Sequence, residues 1–120
     1  MKKINSYKDL LVWQKSINLV KEVYQYVLVF PKHEEYGLSS QMRRAVISVP
    51  SNIAEGWGRE STKNFVHFLR IARGSLYELE TQLIISKELK YCKDFGKIDG
   101  FIIEIGKMLN SLIKKLGDKE

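Results

Sequence analysis

Cysteine is nearly absent from this sequence, Cys92 being the only one in 120 residues. No disulfide can close within the chain, which fits a reducing compartment. Histidine is scarce too, with His33 and His67 alone. Neither has a glutamate three positions before it, since Phe30 and Asn64 stand there, so the Glu-x-x-His pairs of di-iron bundles are missing. One cysteine and two histidines leave too few soft ligands for a standard zinc site. There is no Gly-rich loop of the P-loop or dinucleotide type, and no local signature pairs a serine with a base. No metal, cofactor or catalytic residue is therefore expected. Long apolar runs are also lacking, and nothing approaches the roughly 20 residues that span a bilayer. Asn5, Ser6, Lys8 and Asp9 interrupt the segment after Met1-Lys2-Lys3 where a signal core would lie. These absences together predict a soluble, cytoplasmic, non-enzymatic chain with no membrane partner. Its length suits one domain, residues 1–120, around a single core, with polar ends near 1–6 and 117–120 that fray.

What the sequence does have is helical period. Leu10, Trp13, Ile17, Val20, Tyr24 and Val27 recur at spacings of three and four, and Phe30-Pro31 closes that segment. A second stripe runs through Leu38, Met42, Ala45 or Val46, Val49, Ile53 and Trp57, with Ser39 or Ser40 as its expected N-cap. The third, Phe65, Leu69, Ala72, Leu76, Leu79 and Leu83, begins after Ser61 or Thr62, and Gly56 and Gly58 punctuate the connection before it. The fourth follows Lys93-Asp94-Phe95-Gly96 and carries Ile98, Ile102, Ile105, Leu109, Leu112 and Leu116. No segment sustains a two-residue alternation. The fold class predicted is all-α, an antiparallel up-down-up-down four-helix bundle. Further apolar residues lie off these stripes: Val12, Val23, Leu28, Ile47, Val66, Phe68, Ile71, Ile84, Ile85, Ile103 and Ile113. Either they widen the core faces or one flank is an oligomer interface.

Only two prolines occur, and Pro50 falls inside the second helix. It has no N–H to give the Val46 carbonyl and crowds it, which predicts a kink near residues 46–50. Ser48 is placed to help satisfy the freed backbone. The bend either lets the helix follow the curve of the bundle, the favoured reading, or sets the angle between Arg43-Arg44 and the Gly56-Trp57-Gly58-Arg59 turn.

Charge is the remaining signal. Twenty Lys and Arg against fourteen Asp and Glu leave a net +6, with no basic tail. At about 100° per residue, Lys63, His67, Arg70, Arg73 and Gly74 lie mostly opposite the apolar stripe of the third helix. No acidic residue occurs between Ser61 and Tyr77. The outer face of a bundle helix usually mixes signs. Arg59 leads into this one, and Arg43 and Arg44 lie on the preceding helix. Arginine forks grip phosphate oxygens bidentately, so these groups point to backbone phosphates read with little sequence preference.

Several stretches together carry a family resemblance over roughly residues 7–113. They are Asp9-Leu10-Leu11-Val12-Trp13-Gln14-Lys15, Phe30-Pro31, Tyr36-Gly37-Leu38 and Gln41-Met42-Arg43-Arg44-Ala45. Val49-Pro50-Ser51-Asn52-Ile53-Ala54-Glu55-Gly56 and Phe68-Leu69-Arg70-Ile71-Ala72-Arg73-Gly74-Ser75-Leu76-Tyr77-Glu78-Leu79 complete them. The chain resembles the bacterial four-helix-bundle family encoded in intervening sequences of large-subunit ribosomal RNA genes. That family is similar to the accessory variability determinant of diversity-generating retroelements, a homopentamer that binds nucleic acid and a reverse transcriptase. The resemblance implies a four-helix bundle whose nucleic-acid-binding positions are Arg43, Arg44, Arg70 and Arg73, joined by Arg59 and Lys63. The expected function is a basic homo-oligomer, for which the resemblance suggests five copies, that binds structured RNA or an RNA–DNA hybrid. The alternative is an adaptor whose arginines pair with a protein partner such as a reverse transcriptase.

Overall fold

A computed structural model describes residues 3–117. Four helices account for most of them: α1 Leu11–Val27, α2 Leu38–Trp57, α3 Thr62–Glu88 and α4 Gly96–Gly117. Short 3-10 turns, Tyr7–Asp9 and Lys32–Glu34, precede α1 and α2. No strand occurs among the described residues. Each helix packs on its neighbours in the chain and α1 closes against α4, which leaves α1 and α3 on a diagonal. Cross-helix pairs run in opposite senses along the axis: Lys15 meets Glu104 and Glu22 meets Lys97 between α1 and α4. This is the antiparallel four-helix bundle that the periodicity predicts.

The core comes from the 4-3 stripes: on α3 Leu69, Ala72, Leu76, Leu79 and Leu83 are all buried, while Phe65, the first residue of the expected stripe, is only partly buried and Val66 takes its place. Each such leucine contributes about 1.5–3 kcal/mol relative to exposure. On α1 the expected stripe is turned by about one residue. The buried set is Val12, Ser16, Leu19, Val23, Tyr26 and Val27, while Trp13 and Val20 only pack against the core and Tyr24 is exposed. Ser16 is why: a serine breaks the apolar pattern on paper, but its hydroxyl donates to the Val12 carbonyl at 2.7 Å and so sits in the core without an unpaired group. Val66 and Ile113 join Val12 and Val23 in the core, whereas Leu28, Ile47, Ile71, Ile84, Ile85 and Ile103 stay exposed.

The helix ends correct two expectations. The N-cap of α2 is Gly37, not Ser39 or Ser40, and Ser39 is buried inside the first turn. The cap is supplied from upstream: Glu34 Oε1 accepts the Leu38 N–H at 3.0 Å. A Cβ at Gly37 would lie 2.7 Å from that oxygen, so the glycine makes room for the carboxylate. Gly56 is not part of the α2–α3 turn but a buried residue of α2. The left-handed backbone at that turn belongs to Glu60, with φ 56°, and Ser61 caps α3 by accepting the Asn64 N–H. At the other end of α3, Lys90 (φ 60°) closes a Schellman motif. The Lys90 N–H donates to Lys87 O and the Tyr91 N–H to Ser86 O. Before α1, the Asn5 and Ser6 N–H groups both donate to Asp9 Oδ2. Residues 1–2 and 118–120 lie outside the described residues.

α2 runs through Pro50 as one helix. The proline is buried and faces α1, sharing a cleft with Trp13, Ile17, Val20 and Ile47. Ser48 does not turn to the Val46 carbonyl as expected. Its hydroxyl is 2.8 Å from Ser75 Oγ on α3 and accepts from Asn52 Nδ2 at 2.8 Å.

Two consequences can be measured. A Cβ at Gly56 would stand 2.6 Å from Phe68 Cβ and 3.1 Å from Phe65 Cδ1. Gly56→Ala should therefore cost about 1–3 kcal/mol in urea denaturation. Gly74, mid-helix with nothing within 4 Å of its Cβ position, should instead gain about 0.5–1 kcal/mol as alanine. Separately, the Tyr91 hydroxyl donates to Glu34 Oε2 at 2.6 Å. This bond, with the Leu38 N–H, holds the Glu34 carboxyl below its ordinary value of 4.5. A depressed folded-state pKa gives stability that is complete above about 4.5 and lost as pH falls through the lower value. Glu34→Gln should lower the neutral-pH melting temperature and flatten its decline on acidification; an unchanged acid limb would contradict this.

Candidate nucleic-acid interface

The six basic residues singled out from the sequence fall into separate groups. Arg43 faces the α1–α2 connection, where its Nη2 donates to Glu35 Oε1 at 3.1 Å and to the Glu35 carbonyl at 3.3 Å. Arg44 is exposed on the α2–α3 side and shares a polar recess of about 170 Å³ with Glu78. Arg59 lies 15 residues further along, about 22 Å away along the axis. It pairs with Glu55 at 3.5 Å, and its guanidinium carbon sits 5.1 Å from the Phe68 ring centroid.

The α3 group is different. Lys63, His67, Arg70 and Gly74 are all exposed on one face, as the 100° spacing requires. Arg73 is half-buried on the flank toward α4, and its Nη1 donates to Asn110 Oδ1 at 3.0 Å. Arg70 Nη2 lies 4.0 Å from where a Cβ on Gly117 would sit. Among the described residues, no carboxylate comes within 4.0 Å of Lys63, Arg70 or Arg73, whereas Arg43 and Arg59 each have one.

Lys114 was missed from the sequence. It lies four residues after Asn110 and three before Gly117, on the side of α4 that turns to Arg70 and Arg73. Its signal was present as a 4-3 spacing, but only the α3–α4 register makes it relevant. The structure thus assembles Lys63, Arg70, Arg73 and Lys114 along one flank, and it separates them from Arg43 and Arg44.

Among the described residues, no three His, Cys, Asp or Glu side chains gather as a metal site, and no helix is long and apolar enough to cross a membrane. Among the described residues, the only histidine–carboxylate meeting is His33 with Glu34, 3.8 Å apart at the top of the bundle. Tyr91, 57 residues away in sequence, joins it. No local pattern announces that cluster.

Fold and surface together define a small, basic four-helix bundle with its charge arranged on helix flanks. The model of the family described as 23S rRNA-intervening sequence protein matches residues 8–111, so the chain belongs to that family. Among solved structures it is similar to a protein of unknown function from the S23 ribosomal protein family of Bacteroides thetaiotaomicron. The two share 27% identity and superpose with a TM-score of 0.77, over 87% of this chain and 99% of that one. No functionally curated protein matches the chain.

The different settings of the arginines have a measurable outcome. Arg43→Ala should lower stability by about 0.5–1 kcal/mol, because it loses an ion pair and a carbonyl contact. Lys63→Ala and Arg70→Ala should stay within about 0.5 kcal/mol. Chemical denaturation distinguishes them, and a cost at Arg70 equal to that at Arg43 would mean that Arg70 has an intramolecular role.

Proposed function

We propose that this chain is a non-enzymatic, cytoplasmic, homo-oligomeric bundle that binds structured RNA, or an RNA–DNA hybrid, through backbone phosphates. The α3–α4 flank of Lys63, Arg70, Arg73 and Lys114 carries the binding. The observation behind this reading is that, among the described residues, no carboxylate lies within 4.0 Å of these cations, while Arg43 and Arg59 each have one. An unpaired, exposed guanidinium is available to a phosphate at no cost of breaking an internal pair. Arg43, Arg44 and Arg59 take a secondary part from the neighbouring faces. Exposed Tyr77 and Ile84 on α3 and Ile103 on α4 supply apolar area of the kind that contacts between copies require, for which a ring of five is one arrangement.

A second reading is a protein-interaction adaptor, with a reverse transcriptase as one possible partner. It draws on the α1–α2 connection, where Tyr36 is 94% exposed and Leu28 73%. An apolar group so open is the sort of feature that a protein partner covers.

Fluorescence anisotropy with ribosomal RNA fragments across a salt series separates the two. With three or four phosphate contacts, log K should fall against log salt with a slope of about −3, and Arg70→Glu with Arg73→Glu should reduce that slope by about 2. No binding at low salt, or binding untouched by the double reversal, overturns the RNA reading. A monomeric mass in solution overturns the oligomer.

A further inference from the structure

Beside this flank, at the end of the bundle where α2 turns into α3, lies a recess of about 370 Å³. Trp57 and Phe65 form its apolar walls, and Glu60, Ser61 and Thr62 its polar rim. Its floor is Gly56, where any side chain would collide with Phe65 and Phe68. The two aromatic rings meet edge to face, with centroids 5.9 Å apart and planes at 90°. Phe65 therefore does not stack parallel to Trp57, and the half-buried indole lines the recess.

The surroundings narrow what such a recess would hold. Glu60 reaches the rim from a left-handed backbone, φ 56°, that favours glycine. A residue is held in such a conformation only when its surroundings over-determine it, and here the outcome is a carboxylate at the mouth of an aromatic slot. A carboxylate accepts hydrogen bonds, so it matches the edge of a planar ring that offers two adjacent donors. Among the bases, guanine presents such an edge, with N1–H beside the N2 amino group. Cations stand beside the recess in the chain: Lys63 follows Thr62 of the rim, and Arg59, paired with Glu55, precedes Glu60.

We infer that this recess takes one unpaired guanine of the bound RNA, stacked on Trp57 and read at its edge by Glu60. The inference rests on the RNA reading above and adds to it a preference for looped or bulged RNA over continuous duplex. Stacking on aromatic side chains is the usual means by which proteins hold splayed bases.

Trp13 is the only other tryptophan, so Trp13→Phe leaves Trp57 as the sole indole reporter. Two RNA hairpins of equal length and charge, one fully paired and one with a single bulged guanine, are titrated against this protein. The bulged hairpin should quench Trp57 emission and bind about tenfold tighter, consistent with one stacked base. A bulged adenine should recover only part of that gain. Trp57→Leu should make the two hairpins equal. Glu60→Gly should abolish the guanine preference while leaving the melting temperature unchanged or raised, an outcome that a merely structural Glu60 would not give. If Trp57→Leu fails to fold, Glu60→Gly carries the test. Equal binding and quenching by both hairpins overturns the inference, and if Arg70→Glu with Arg73→Glu still abolishes that binding, the phosphate flank stands without it. Binding of neither hairpin at low salt overturns both. Guanosine monophosphate binding as tightly as the bulged hairpin overturns the assignment to RNA.

Discussion

The close approach of α2 to α3 at Gly56 is the constraint on which the remaining arrangement depends. With no side chain there, Phe65 and Phe68 lie directly on the α2 backbone. Two turns back, the Ser48 and Ser75 hydroxyls meet across the same seam. Together these contacts fix the register of two antiparallel helices to within one residue, because a slip of one would carry each residue about 100° around its helix. That register places the acid-free face of α3 outward and Arg73 on the α4 flank. It also leaves the Trp57 recess open at the turn, with no side chain on its floor.

The opposite end of the bundle is held by a different device. Glu34 caps α2 with one carboxylate oxygen and receives Tyr91 with the other, so the α1–α2 and α3–α4 connections are joined through a single side chain. Phe30 packs on Tyr91 with ring centroids 5.2 Å apart. Nearby, Tyr26 is bonded to Ser86 across the diagonal at 2.7 Å. Since the Ser86 hydroxyl donates to Leu83 O, Tyr26 is the donor, and its burial pushes the phenol pKa up. Hydrogen bonds thus tie the chain at this end, while apolar close packing ties it at the other.

How much of this could be read beforehand depended on how local its cause was. The α3 core was legible because one apolar stripe matched one period and had no competitor. On α1 two stripes competed, and the polar Ser16 in the true one favoured the wrong choice. The cap of α2 was illegible because its acceptor lies outside the helix, at Glu34, and local serines offered a false signal. Gly56 was read as punctuation, since sequence does not distinguish a glycine that bends the chain from one that admits a neighbour. For the candidate site, the outward face of α3 followed from angle alone. The split between Arg43 and Arg70 did not, because it depends on where Glu35 and Asn110 lie in three dimensions.

That split bears on how basic residues should be weighed. A net charge of +6 describes attraction at long range but says nothing about which groups are spare. An arginine already in a charge-assisted pair must exchange one partner for another when it meets a phosphate, and its net gain shrinks accordingly. Arg43 and Arg59 are in that position, whereas Lys63 and Arg70 are not, among the described residues. Arg73 is intermediate: Asn110 orients its fork without neutralising it, which lowers the ordering cost of a later contact. Among the described residues, the distribution of carboxylates, more than the number of arginines, is thus what sets Arg43 and Arg59 apart from the flank proposed for binding.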